Sequence, residues 1–289
     1  MVLWDATTRD DREEDRRLTS GEDVVIEGLL SDVHGVLYVY PHALPGSVAA
    51  VKRLRDSGMP HLFLTNSSQH PKSWILHSLA TAGFEIGPEH LLTAVEAAGE
   101  HLRRAGLHRV GWLCVPELVE DLAGVEAVFP HAPGMAQVDA VLVGDMGSGF
   151  TYEVLNQGFR WLHEGAKLIA IARNRSYQTQ DGLVLDSGPF VTLLEEAAEL
   201  TALVTGKPSV TFFQTALSHL GLPAPSVAMV GDDLEADVLP AMELGMRGVL
   251  VRTGKFRAER YDAGRRRADK VADDLAQVVN DLWGEMTGD

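Results

Sequence analysis

One repeated unit constrains this chain more than anything else: a short apolar run, a polar residue near its end, then a stretch with helical spacing. Val24–Asp32 reads as a buried parallel strand running into a loop. Val48, Val51 and Leu54 then share one helical face, with Gly58 as the stop. His61–Thr65 is the next strand, and Pro71 and Gly83 bracket the next helix. In the middle, Thr93 and Glu96 have capping-box spacing before a helix that stops at Gly106. Strands are predicted at Val110–Val115, Val138–Val143 and Leu168–Ala172. Helices are predicted from a Thr151 cap to His163 and over Phe190–Leu200, and Asp181-Gly182 has the character of a hairpin turn. The last third returns to the first pattern. Lys207-Pro208 precedes a helix ending at Gly221, Val227–Val230 runs into Gly231-Asp232, Gly248–Val251 follows, and Val271–Trp283 closes the chain as a helix.

This alternation predicts an α/β fold built on parallel sheets. Its recurrence in both outer thirds predicts one α/β domain inserted in another. The expected Rossmann-like core is residues 23–88 and 202–289, with an inserted α/β cap over 89–201. Residues 1–22 stand apart: Asp10 to Arg17 is almost wholly charged, so the segment reads as a mobile arm or a short charged helix.

With 25 Lys plus Arg against 41 Asp plus Glu, the formal charge is -16. A nucleic-acid backbone would be repelled, so nucleic acid is not the expected partner. Arg265–Arg267, the one dense basic run, reads as a solvated helix face. Cys114 is the single cysteine; it forms no intramolecular disulfide and, after Trp112 and Leu113, reads as a buried strand residue. No apolar run is long enough for a bilayer, and the first residues are too charged for a signal peptide. The expectation is a cytoplasmic protein with no membrane partner.

Ligands of open α/β sheets bind outside the carboxyl ends of the strands. Asp32 and Thr65 end two strands, Lys207 opens a third unit and Asp232 follows a fourth strand, so all four can meet in one crevice. Their types suit phosphoryl transfer. A carboxylate can attack phosphorus. Magnesium takes hard oxygen ligands and often only one or two protein carboxylates. A hydroxyl and an ammonium can hold the equatorial oxygens. Each residue alone has a plainer reading as a strand-end turn or helix cap.

Ser31-Asp32-Val33-His34-Gly35-Val36-Leu37, Leu64-Thr65-Asn66-Ser67, Gly206-Lys207-Pro208-Ser209 and Gly231-Asp232-Asp233-Leu234-Glu235-Ala236-Asp237 resemble, in order, the four motifs of the haloacid dehalogenase (HAD) superfamily. The resemblance runs from about Val24 to Trp283. An α/β insert between the second and third motifs marks the class with NagD-like and 4-nitrophenylphosphatase-like members. Asp181–Pro189 and Val251–Phe256 are similar to the branch containing phospholysine phosphohistidine inorganic pyrophosphate phosphatase. The resemblance implies a phosphohydrolase acting through an aspartyl-phosphate on a small phosphomonoester, phosphoramidate or pyrophosphate. Asp32 would be nucleophile and Mg2+ ligand, the His34 carbonyl and Asp232 the other protein ligands. Thr65 and Asn66 would bind the phosphoryl group, and Lys207 would neutralise charge. Asp237 would stand beyond the direct ligands and orient a metal-bound water or Lys207, and Asp233 would share that work or simply cap the next helix.

One departure matters. Most phosphatases of the superfamily carry an aspartate two residues after the nucleophile; here that residue is His34. Three readings follow. Its imidazole replaces the aspartate as general acid and base, nearby carboxylates favouring its charged form. Or it transfers no proton, and only good leaving groups react. Or the chain is a catalytically weak HAD fold retained for ligand binding. Neutral imidazole would also suit zinc and other transition metals better than magnesium. His42, His61, His70 and His77 form no recognised metal spacing. In the insert, Arg173, Arg175 and Tyr177 are the candidates for substrate specificity. A homodimer through the insert is expected, because apolar segments such as Val138–Val143 suggest a sheet there whose edge would pair.

Overall fold

The computed structural model describes residues 25–131, 137–179 and 182–287. Eleven strands in chain order build two parallel sheets. They are β1 (Gly28–Asp32), β2 (His61–Thr65), β3 (Leu91–Thr93), β4 (Arg109–Leu113), β5 (Glu126–Val128), β6 (Ala140–Val143), β7 (Lys167–Ala170), β8 (Leu203–Val204), β9 (Val227–Gly231), β10 (Arg247–Val251) and β11 (Lys270–Ala272). The first sheet runs β11-β10-β9-β1-β2-β3 and the second β8-β7-β6-β4-β5. Every neighbouring pair within them is parallel.

Helices cover these sheets because each carries an apolar stripe. In Ser47–Ser57 the buried positions include Ala50, Val51 and Leu54, and Gly58 ends the helix at φ 72°. Thr93 forms the expected capping box with Glu96, opening the helix Ala94–Arg104. One apolar cluster holds the two sheets together, with Leu30 and Leu64 of the first and Trp112, Leu142 and Ile169 of the second. None of the described helices is long and apolar enough to cross a membrane.

Several expectations shift. The first strand begins at Gly28, where its registered pairing with Val227 starts; before it the Glu27 N–H still donates to the Ser226 carbonyl at 2.8 Å. Val24 and the charged arm 1–22 lie outside the described residues. The helix expected over Val271–Trp283 starts only at Leu275. Val271 instead pairs with Leu250 in β11, and Asp274 Oδ1 accepts the Gln277 N–H at 2.8 Å, which starts the helix there. The expected boundaries at residues 89 and 202 are each displaced by a few residues: β3 belongs to the first sheet and β8 to the second. The hairpin near Asp181-Gly182 exists as Ser176–Thr179 paired with Gly182–Leu185; Asp181 itself is outside the described residues. The sheet expected around Val138–Val143 is present, and that segment lies inside it. Its strand, β6, lies between β4 and β7 with both ladders filled, and β5 and β8 are the true edges.

Candidate active site

From β1 the chain works outward to β2 and β3; from β9 it works outward the other way, to β10 and β11. The C-terminal ends of β1 and β9 therefore form the topological switch point of the first sheet, the crevice where open α/β sheets receive ligands. Asp32 ends β1, and Asp232 comes one residue after β9. Both point into the same dry space, with Asp32 8% exposed and Asp232 2%. Asp237 at 1% and Lys207 at 4% complete it.

Buried charges require partners. Lys207 Nζ stands 2.5 Å from Asp32 Oδ1 and 2.7 Å from Asp237 Oδ1. Burial alone would lower the pKa of this lysine, but Asp237 and Asp32 outweigh it and hold the group above its ordinary value, as an ammonium. Asn66 fixes Lys207 from behind. Its carboxamide oxygen accepts the Lys207 N–H at 2.8 Å, and its Nδ2 donates to the Lys207 carbonyl at 2.7 Å. Thr65 is buried at the end of β2, its hydroxyl accepting the Ser67 N–H at 3.1 Å.

The donor set fits a hard divalent cation. Asp32, Asp232 and Asp237 bring carboxylate oxygens within 4.8 Å of one another. Asp232 Oδ1 is buried without a hydrogen-bond partner, while its Oδ2 accepts the Lys255 N–H at 2.8 Å. Three carboxylates face one buried ammonium, so negative charge is in surplus. Burial, then repulsion from Asp32 and Asp237, raises Asp232 to about 7. Burial raises Asp237 to about 6, Lys207 opposing and Asp32 adding to it. A cation would remove this cost.

The backbone is shaped around Asp232. Gly35 and Gly254 both have positive φ, at 93° and 54°. A Cβ on either would lie about 2 Å from Asp232 Oδ2, at 2.0 Å and 1.9 Å respectively, so no larger residue fits. Thr253 Oγ1 donates to the Gly35 carbonyl at 2.5 Å and ties the two turns together.

Of the two roles open to Asp233, capping is the one found: its Oδ1 accepts the N–H groups of Glu235 and Ala236, both at 3.1 Å. Asp237 Oδ2 in turn accepts the Asp233 N–H at 3.2 Å. His34 stands at the mouth, solvent-exposed, edge-on to Tyr38 with ring centroids 6.0 Å apart. Its expected bias toward the charged form is reversed. Desolvation by the surrounding residues lowers its pKa, Asp32 opposes this and Lys255 adds to it.

Arg173, Arg175 and Tyr177 lie past β7 in the second unit, outside this cluster. Arg173 is held by the Glu195 carboxylate through both terminal nitrogens and also reaches Thr192 Oγ1 at 3.3 Å. Arg175 is exposed and Tyr177 half-buried. Sequence reasoning passed over Thr253-Gly254-Lys255 as site residues. The signal was available: the segment follows the end of β10, another strand of the same sheet, where Asp32 and Thr65 end theirs and Asp232 follows its own.

Residues 29–127 match the haloacid dehalogenase-like hydrolase family, and residues 204–278 match a second, HAD-hydrolase-like model. The chain is 38% identical over 233 residues to haloacid dehalogenase-like hydrolase domain-containing protein 2 of Homo sapiens, covering 81% of this chain and 86% of that protein. It is 37% identical over 261 residues to phospholysine phosphohistidine inorganic pyrophosphate phosphatase of Danio rerio, covering 88% and 93%. Among solved structures, p-nitrophenyl phosphatase from Archaeoglobus fulgidus superposes with TM-score 0.81 at 27% identity, over 89% of this chain and 99% of that one. The 4-nitrophenylphosphatase from Thermotoga maritima gives 0.80 at 26%, over 88% and 97%. With this fold and this relatedness the chain belongs to the haloacid dehalogenase-like hydrolase family. Within that family it is an enzyme of the phosphatase kind.

Proposed function

We propose that this phosphatase is magnesium-dependent and hydrolyses a small phosphorylated compound, an ester, phosphoramidate or pyrophosphate, through an aspartyl-phosphate on Asp32. The observation that carries the reading is the juxtaposition at the switch point: a buried aspartate bonded to a buried ammonium, beside an acidic pocket with an orphaned Asp232 oxygen. Asp32, Asp232 and the His34 carbonyl would hold the cation, with Asp237 holding Lys207 in place beside them. When bound, the cation would withdraw charge from the phosphoryl oxygens and leave phosphorus more open to attack.

The chain's own groups do the rest. Lys207, gripped by Asn66, holds Asp32 Oδ1 and so sets the plane of the attacking carboxylate. Thr65 and the Asn66 segment receive the phosphoryl oxygens. A carboxylate oxygen of Asp32 bonds to phosphorus as the bond from phosphorus to the leaving atom breaks, and His34 gives that atom a proton. Water then attacks the aspartyl-phosphate phosphorus and loses its proton to His34. Phosphate leaves, and the Asp32 carboxylate is restored. The second unit would act as the cap, with Arg175 and Tyr177 available to choose among leaving groups. A cytoplasmic setting agrees with the single buried Cys114.

Asp32→Asn tests the reading, since it keeps the shape and removes the nucleophile. Turnover of an aryl phosphate with magnesium is expected to fall by about three or more orders of magnitude. Near-normal turnover at unchanged folding would remove the covalent route. If the unmodified protein binds phosphate ligands by calorimetry but turns none over, it is a binding protein instead.

A further inference from the structure

We infer that Lys255 selects substrates whose leaving group carries its own negative charge next to the scissile bond, as a second phosphate or a carboxylate does. The inference deepens the phosphatase reading and rests on it. Two hydrogen bonds and one close-packed glycine fix where this lysine stands. Thr253 Oγ1 donates to the Gly35 carbonyl, Lys255 N–H donates to Asp232 Oδ2 at 2.8 Å, and Gly254 lies flat between them because no side chain fits there. The turn after β10 is thereby fastened to the loop that carries Asp32 and His34. The Lys255 backbone belongs to the Asp232 cradle; its side chain continues outward, 63% exposed.

The two lysines of the crevice do different work. Lys207 is enclosed between Asp32 and Asp237 and has no reach beyond the reacting group. Lys255 has one long ion pair, 3.5 Å to Asp233 Oδ2, and Asp233 already spends its other oxygen on the turn that follows. An ammonium carries three donors, so Lys255 retains capacity for a ligand. Its charge acts on Asp32, Asp233, Asp232 and Asp237, and on the His34 ring at the mouth. On this inference the leaving portion of a phosphoryl group seated against Asp32 points outward past the exposed His34, toward the exposed side chain of Lys255. A compact ammonium there attracts an anionic leaving group and steadies the charge it gains as the bond breaks. On a chain of formal charge -16, this local cation opposes the general repulsion of anions.

Lys255→Met removes the charge and keeps the backbone N–H that Asp232 uses; Lys255→Arg restores a charge. With magnesium present, calorimetry reads binding of methylenediphosphonate, whose P–C–P bridge is not hydrolysed, and of orthophosphate. Steady-state kinetics read pyrophosphate and 4-nitrophenyl phosphate. Lys255→Met is expected to weaken methylenediphosphonate and raise the pyrophosphate KM by about 10- to 100-fold. Orthophosphate binding and 4-nitrophenyl phosphate turnover should fall by about tenfold less than these, and the affinity for methylenediphosphonate should lose much of its salt dependence. Lys255→Arg should recover most of the loss. An equal loss on both ligands would make Lys255 a mere neutraliser of the acidic cluster, and no loss on either would also overturn the inference. So would unmodified protein that binds methylenediphosphonate no better than orthophosphate. Absence of turnover alone would fail the phosphatase reading and leave the calorimetric comparison to decide about Lys255.

Discussion

His34 is where this site departs from the usual chemistry of its superfamily, and its surroundings define what it can do. The ring stands at the mouth beside Tyr38, with Asp32 drawing a proton toward it while desolvation and Lys255 push one away. The net effect lowers the pKa of the ring. A neutral ring is ready to accept the proton of the attacking water; to protonate a leaving group it must first be charged. The expectation is a leaving-group dependence. His34→Ala should cut turnover of alkyl phosphates, which leave badly, by about 10²–10⁴-fold and that of aryl phosphates much less. His34→Asp should recover much of the loss. The comparison is made with magnesium and again with manganese. Equal losses on both substrates, or losses that vanish on changing the metal, would remove His34 from proton transfer.

At the level of elements, the hairpin of Ser176–Thr179 and Gly182–Leu185 stands apart from both large sheets. Leu183 is 71% exposed and Leu185 61%, and as alternate residues of one strand they face the same way. A lone two-stranded sheet is marginal in water, and two exposed leucines on it gain from being covered. A second copy of the chain is the proposed cover, which would place the expected pairing at the hairpin instead of at a sheet edge. Light scattering should give twice the 31.4 kDa chain mass, and Leu183→Asp with Leu185→Asp should halve it without loss of helix content. A monomer for the unmodified chain at every concentration would end this proposal. The same scale explains what the sequence made legible. Strands such as β1 and β9 are buried on both faces, so their apolar runs announce them, and a polar residue after such a run marks the crevice. The edge strands β3, β5, β8 and β11 have three residues or fewer and one partner each, too short for any period to show. Asp32, Lys207 and Asp232 stood out because each follows such a run or opens a helix. Lys255 did not, because its place depends on a bond to Asp232, 23 residues away in the chain. Asn66 was legible as a site residue, but its grip on the Lys207 backbone spans 141 positions and has no local trace.

For the molecule as a whole, the acidic cluster makes stability a function of pH and cation together. Asp232 and Asp237 have ordinary values of 3.8, raised here to about 7 and about 6. A carboxylate raised by folding binds its proton more tightly in the folded than in the unfolded chain. Its contribution to stability is therefore whole below pH 3.8 and is lost as pH rises through about 6 and about 7. A bound divalent cation reverses this, because it prefers the ionised carboxylates and competes with protons for them. Magnesium should thus add little stability at pH 5 and much at pH 8. At a hundredfold excess over Kd the gain is about 2.7 kcal/mol. The general charge of -16 also makes any added salt stabilising, so sodium chloride at matched ionic strength is the reference. Thermal unfolding between pH 5 and pH 8, with a chelator or with magnesium, checks the expectation. The unmodified chain should lose stability with rising pH in chelator and hold it in magnesium. Asp232→Asn removes a titrating group and a ligand at once, so its two curves should draw together, with a shallower fall in chelator. A magnesium shift that is the same at pH 5 and pH 8, or that survives intact in Asp232→Asn, would mean that the cation binds somewhere other than this cluster.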